Sequence, residues 1–277
     1  MSFMIYIKDD KTPHLTRTIG LPDVKSQGVL ENDSDALNAA RAIFATWEQI
    51  TPTTYYRHLG KHKFYFDAEE KNTAMKQIMD DFILHGEYEP NTTELFREHI
   101  KEGDTCVDVG ASIGYFTLLM AELTGNTGHV ISLEPTKNQY PYLIKNIEAN
   151  QYSHIVDAYN LGAWSENTEI RGKINLGHEG NMKVITLDSL LSDPIPKKVD
   201  FIKIDTDGAE PEILKGLEQT VINNPQLKLI IEFYPKYIEN LNLNPQDVID
   251  FLDKHFTYSK IEGDYTSEYY NFFCVRK

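Results

Sequence analysis

Residues 104–120 read DTCVDVGASIGYFTLLM, and the pattern changes period halfway along. The first half is a β-branched apolar run, and the second carries apolar residues at helical spacing. Gly110 and Gly114 stand where the two meet. A strand that turns through glycines into a helix brings its own backbone close to something, and the rest of the chain must say what.

From residue 104 onward strands and helices alternate. TCVDVGA, HVISLEP, HIVDAYNLGAW, VDFIKIDTDG and LKLIIEFY read as strands. YFTLLMAEL, NQYPYLIKNIEAN and AEPEILKGLEQTV read as helices, the second interrupted or started late by Pro141. After the helix PQDVIDFLDKHF, the runs YSKIEGDY and YYNFFCVRK read as a terminal antiparallel pair. Near-continuous apolar strands between helices predict a doubly wound α/β domain, a mostly parallel seven-stranded sheet covered on both faces. Residues 91–277 are assigned to it.

Residues 1–34 mix Pro, Gly, Asp and Ser without sustained period and read as an extended or partly ordered arm. SDALNAARAIFATWEQI has apolar residues at Leu37, Ala40, Ile43, Phe44 and Trp47, which predicts a helix capped by Ser34 or Asp35. Further helices are predicted over about 67 to 84 and 92 to 101. Residues 1–90 therefore read as a helical N-terminal extension, with 35–90 expected to cover the substrate side of a pocket. Trp47, Tyr55 and Tyr56 read as packing residues.

The chain has 277 residues and a net charge of −15, which argues against a surface built to track nucleic-acid phosphates. Cys106 and Cys274 lie far apart in apolar runs and read as buried thiols of a reducing compartment. The N-terminus meets charge after seven residues, too early for a signal-peptide core, and no window approaches the roughly 18 apolar residues of a membrane span. A soluble, cytoplasmic protein is expected.

In doubly wound sheets, ligands bind beyond the carboxyl ends of the strands where strand order reverses. Gly110 would let a ligand lie against the backbone, and Gly114 would help start the following helix. A tight turn with no ligand fits two glycines equally well, but two observations favour a ligand. The spacing Asp108-x-Gly110-x-x-x-Gly114 is not the Gly-x-Gly-x-x-Gly of a phosphate cradle, and Asp108 suits a cationic ligand. Glu134 ends the next strand, where a carboxylate can accept both hydroxyls of a ribose. A ribose and a positive charge without a phosphate describe S-adenosylmethionine.

The segments CVDVGASIGYFTLLMAEL, VISLEPTKNQYPYLIKNIEAN, NLGAWSE, VITLDSLL, VDFIKIDTDGAEPEILKG and LIIEFYP together resemble the FkbM family of S-adenosylmethionine-dependent methyltransferases, which have a Rossmann-like fold. The resemblance runs over about 87 to 256, with HGEYEP resembling the family's lead-in. It implies that Asp108, Gly110, Ala111 and Gly114 line the methionine part of the cofactor, and that Glu134 holds the ribose with Pro135 fixing the next turn. The turn at 160–164, with Gly162 at its centre, would flank the adenine. Asp205 would face the sulfonium and Glu87 would close the pocket. The family usually has Asn where Ser112 stands and Glu where Asp207 stands.

Asp205, Asp207 and Glu210 fall at a strand end and the helix start after it. Helix capping accounts for Glu210 and fits Asp207, whereas Asp205 terminates an apolar strand where substrate must approach. With Glu232 these acids could instead hold a divalent metal, the less favoured reading. His178, in the loop NLGHEGNM, reads as a solvated loop residue rather than a general base. The expected activity is methyl transfer to a hydroxyl of a sugar or small metabolite, with Asp205 or Asp207 as base and without a metal. The alternatives are a nucleoside-binding α/β protein without turnover, a metal-assisted O-methyltransferase and a nicotinamide oxidoreductase, the last disfavoured by the glycine spacing.

Overall fold

A computed structural model describes residues 2–6, 16–20, 47–50, 54–67, 78, 86–174, 178–192, 198–261 and 268–277. The chain divides into two compact units, Met1–Gly86 and Glu87–Lys277. Among the described residues no helix is long and apolar enough to cross a membrane.

The described part of the first unit is mostly β, which corrects the helical reading. Strands β1 (Ser2–Tyr6) and β2 (Thr16–Gly20) pair antiparallel. Strands β3 (Trp47–Gln49), β4 (Thr54–Leu59) and β5 (His62–Asp67) form an antiparallel sheet in that order. The helix expected to run to residue 50 thus ends in a strand, and its first part, 34–46, lies outside the described residues. Of the helix expected over 67 to 84, Asp67 ends β5, Ile78 is helical, and the rest lies outside the described residues. The physical reason is alternation. Arg57, Leu59, His62 and Phe64 are buried while Tyr56, His58, Lys63 and Tyr65 are less so, and Gly60–Lys61 makes the two-residue turn.

The second unit carries the α/β domain. Helix α1 (Pro90–His99) leads into β6 (Thr105–Val109), then α2 (Tyr115–Thr124), β7 (His129–Leu133), α3 (Tyr140–Ala149) and β8 (Val156–Tyr159). A short β9 (Gly162–Ala163) pairs with a hairpin of β10 (Thr168–Ile174) and β11 (His178–Ile185). Helix α4 (Leu187–Ser192) and β12 (Phe201–Ile204) follow. The helix expected over AEPEILKGLEQTV breaks into α5 (Glu210–Lys215) and α6 (Glu218–Asn223). A Cβ on Gly216 would overlap the Trp164 carbonyl oxygen, and Asp188 accepts the Gln219 and Thr220 amides at 3.0 and 2.7 Å. The chain ends with β13 (Lys228–Phe233), α7 (Pro235–Asn240), α8 (Gln246–His255), β14 (Phe256–Lys260) and β15 (Tyr270–Arg276).

The large sheet has seven strands in the order β14-β15-β13-β12-β6-β7-β8, with β15 antiparallel to its neighbours and the others parallel. From β6 the chain steps outward to β7 and β8, then returns to β12 on the other side. The order therefore reverses between β6 and β12, whose last residues Val109 and Ile204 are in register. Val107, Val109, Ile131, Leu133, Ile202, Ile204, Leu229 and Ile231 form one buried cluster on these central strands. Phe96 of α1 packs on Phe116 of α2 and Phe201 of β12 at centroid distances of 4.7 and 4.9 Å. Cys106 and Cys274 are free and buried in β6 and β15.

Candidate functional site

The site is built on the turns that leave β6, β7 and β12. Gly110 and Ala111 both donate to the Leu133 carbonyl at 3.0 Å, so the first turn hangs from the end of β7. Asp205 donates to the Val109 carbonyl at 3.0 Å, which continues the β12 ladder one residue past the strand. Gly110 has φ +83°, and a Cβ there would overlap the Asp205 carbonyl oxygen, 2.9 Å from its carbon. The close approach expected at this glycine is therefore made by the chain's own backbone. Gly114 is the N-cap of α2.

Glu134, only 4% exposed, is fixed by its neighbours. It accepts from the Ser112 amide at 2.8 Å, and from the Thr136 amide and hydroxyl at 2.8 and 2.6 Å. Ser112 has φ +53°, a conformation that Asn tolerates better than Ser. Asn160 donates to the Glu134 carbonyl at 2.8 Å, tying the turn after β8 to the turn after β7. Beside these turns lies a cavity of about 420 Å³, lined by Gly110, Pro135, Gly162 and Trp164 among others. Its walls are mainly apolar. Ile170, Met182 and Val184 reach it from the β10–β11 hairpin, of which the sequence reading had only the loop NLGHEGNM.

Asp108 is buried at 1% exposure and is not part of that lining. It accepts from the Thr117 hydroxyl of α2 at 2.6 Å, and Thr117 in turn meets Ser132 at 3.0 Å. Among the described residues its other oxygen has no hydrogen-bond partner. Burial raises its pKa, with Lys203 and Thr117 working against the rise. Ala111 is buried at 5% exposure. Glu87 pairs with Arg97 of α1 at 2.6 Å. The buried acid of the lead-in is instead Glu89, 1% exposed, which accepts from Asn271 of β15 at 3.2 Å.

The residue that sequence reasoning missed is Lys203. It sits in the centre of β12, in register with Asp108, and is 2% exposed. Its ammonium meets Asp205 at 2.6 Å and lies 4.6 Å above the Phe116 ring. The signal was a lysine inside the otherwise apolar strand FIKI.

Beyond Asp205 the chain makes a tight turn. Asp207 has φ +55°, where Asp is better tolerated than the Glu usual in the family, and its amide donates to Glu232 at 3.1 Å. Glu210 does not cap its helix; it closes the turn, accepting from the Thr206 amide and hydroxyl at 3.0 and 2.7 Å and from the Gly208 amide at 3.3 Å. Burial raises the pKa of Glu210, and burial together with Asp205, Glu210 and Asp207 raises that of Glu232. Asp207 is pushed up to about 7, first by burial and then by Asp205, Glu210 and Glu134. A carboxyl group balanced near neutrality can take a proton from a hydroxyl and release it again. Tyr237 packs its backbone on Gly208, and Tyr234 stacks near both Tyr237 and Tyr269, at 4.2 and 5.1 Å.

Asp205, Asp207 and Glu232 thus come together at adjoining strand ends. Among the described residues, no group of three or more His, Cys, Asp or Glu side chains is arranged to hold a metal ion. His178 begins β11 rather than lying in a loop, paired with Ile174.

The model of the methyltransferase FkbM domain matches residues 108–260. A second family model, for protein-L-isoaspartate (D-aspartate) O-methyltransferases, matches residues 29–164. The chain is 25% identical over 138 residues to the hexuronic acid methyltransferase AglP of Haloferax volcanii, covering 47% of this chain and 56% of that relative. The match therefore spans little more than half of the relative's length. Among solved structures, an O-methyltransferase from Bacillus cereus in complex with SAH is 16% identical, with a TM-score of 0.48, covering 75% of this chain and 93% of that one. A SAM-dependent methyltransferase from Aquifex aeolicus is also 16% identical, with a TM-score of 0.46 and coverage of 76% and 100%. The match over residues 108–260 takes in the glycine turn, Glu134, the acid turn after β12 and Glu232, and the chain belongs to the FkbM family of S-adenosylmethionine-dependent methyltransferases.

Proposed function

We propose that the chain transfers a methyl group from S-adenosylmethionine to a hydroxyl of a small polyhydroxylated acceptor of the sugar class. The observation that carries this is the pairing of the switch-point cavity with Asp207, a carboxyl group poised near pH 7 on the turn beside it.

The residues present fit the cofactor. An apolar cavity bordered by Pro135, Gly162 and Trp164 suits an adenine ring, and the buried Glu134, held by two amides, is a pre-set acceptor for ribose hydroxyls. Gly110 borders the cavity along the first turn, where the amino-acid end would lie, while the space beside Gly110 and Gly114 is filled by Asp205 and Leu143 of the chain itself. When bound, the cofactor supplies a methyl carbon already activated by its sulfonium. The protein's part is then alignment, exclusion of water and removal of one proton. Asp207 takes that proton from the acceptor hydroxyl. Tyr234, Tyr237 and Tyr269 offer aromatic faces for the apolar side of a sugar ring, with carboxylates at their edge to meet its hydroxyls. An anionic acceptor would have to enter beside Asp205, Asp207 and Glu232, so a neutral one is favoured. The hexuronic acid named for the relative accords with the sugar class alone, since it carries a carboxylate at pH 7 and so does not share the neutral charge favoured here.

Calorimetry with S-adenosylmethionine and with its demethylated product tests the reading. Both should bind, and Glu134→Ala should weaken binding by about 1.5–3 kcal/mol, the value of a hydrogen bond to a charged group. The same change strands the Ser112 and Thr136 amides, so a stability loss of about 1–3 kcal/mol should accompany it. Unchanged affinity in folded Glu134→Ala would remove the ribose assignment. Chelation should leave turnover unchanged, because Lys203 already supplies the positive charge beside Asp205 that a divalent ion would bring. Loss of activity with chelator, restored by magnesium, would return the metal-assisted alternative.

A further inference from the structure

Methyl transfer as described gives the buried Lys203 no direct part in the chemistry. An ammonium inside the central strand of a sheet costs several kcal/mol to desolvate unless it is paired. Lys203 is paired on several sides. Asp205 approaches it from its own strand at 2.6 Å, Asp108 lies in register on β6, and Glu89 acts on it from the lead-in to α1. The Phe116 ring of α2 covers it at 4.6 Å. Burial works against its charge, yet these carboxylates outweigh burial and its pKa is raised, which favours the charged form.

Asp207 lies in the opposite surroundings. Asp205 and Glu210 face it from its own turn, Glu134 from the end of β7, and Glu232 from β13, whose carboxylate holds its amide. Tyr237 packs near it from α7. Lys203 works against these acids.

We infer that Lys203 is the positioning residue of this site: its ammonium pins the Asp205 carboxylate and offsets the surrounding anions, so that Asp207 serves as the base. The role of Asp207 in chemistry rests on the methyl-transfer reading, whereas the charge relation between the two residues does not. Among the described residues, Asp205, Glu210 and Glu134 raise the Asp207 pKa and Lys203 lowers it, so loss of the ammonium should move Asp207 further toward its protonated form. A lysine whose charge is spent on Asp205 and does not reach Asp207 would leave the titration of Asp207 alone.

The test uses full-length protein labelled with carbon-13 at aspartate carboxyls, with the Asp207 signal identified by its loss in Asp207→Asn. In Lys203→Met the midpoint of Asp207 should move upward by at least one pH unit, a tenfold or greater change in proton affinity. Lys203→Arg, which keeps the charge, should restore it. Lys203→Gln, similar in length but neutral, replaces the Met variant if circular dichroism shows that variant unfolded, and the same upward movement is expected. An unmoved midpoint in a folded neutral variant, or a midpoint that Arg fails to restore, would overturn the inference. Calorimetry with S-adenosylmethionine on wild type separates the two levels: absence of binding there overturns methyl transfer, while the Asp207 titration decides the role of Lys203.

Discussion

Gly110→Ala is expected to cost about 3 kcal/mol or more of stability, combining left-handed backbone strain with overpacking at the centre of the sheet. The added methyl would overlap the Asp205 carbonyl oxygen and lie 3.1 Å from Thr206 Cγ2. Neither neighbour can yield freely. Asp205 is tied to Val109 through its amide, and Val109 and Ile204 lie in register as the last residues of adjacent central strands. Relief requires the ends of β6 and β12 to part, and that is where the cavity proposed for the cofactor borders both turns. Cofactor affinity should therefore fall with stability. Gly103→Ala is the control. Gly103 has φ +87°, but its nearest neighbour would be Thr127 Oγ1 at 3.7 Å, so only backbone strain of about 1 kcal/mol is expected. Urea unfolding of the two variants should differ by about 2 kcal/mol, the overpacking share alone. Equal loss in both would mean that the β6 and β12 turns are not in contact.

The α/β domain was legible because its strands are buried on both faces. TCVDV, HVISL, FIKI and KLIIEF are almost continuously apolar, and each is followed by a helix of clear period. The hairpins were harder. In β4 and β5 the inward positions include Arg57 and His62, so alternation of polarity does not mark alternation of burial. The β10–β11 hairpin reads TEIRGKINLGHEGNMKVI, where three glycines and scattered charges hide the strand period. Spacing alone named the carboxylates at the strand ends, but it could not tell which face the cavity. Glu87 and Glu89 are both candidates in HGEYEP; the left-handed backbone at Glu89, φ +43°, and the bond from Asn271 bury the second and leave the first to Arg97. Lys203 was missed for a related reason. Its partner Asp108 lies 95 residues earlier, and only the register of β6 with β12 brings the two side by side.

Asp207→Asn should lower turnover by about a hundredfold to ten-thousandfold, the usual worth of a positioned general base, while cofactor affinity stays close to wild type. In wild type, the working form is the ionised carboxylate, so kcat/KM should rise with pH through about 7 and level off above it. In the variant that limb should vanish. Stability should move the other way. The Asp207 pKa is raised in the folded state from its ordinary 3.8 to about 7, so the fold binds its proton more tightly than the unfolded chain does. Its contribution is therefore fully present below about pH 4 and is lost as pH rises through about 7. An amide at this position carries no charge to be repelled by Asp205, Glu210 and Glu134. The variant should be more stable than wild type at pH 8 and lose that advantage as the solution is acidified to pH 4. A helix-capping role for Asp207 would produce the reverse, a stability loss of about 0.5–2 kcal/mol with turnover per folded molecule intact. The geometry already disfavours capping, since α5 has Ala209 as its N-cap and no side-chain cap bond. Activity that falls while stability at pH 8 rises separates a residue kept for chemistry from one kept for the fold, and a variant both active and less stable would return Asp207 to the fold.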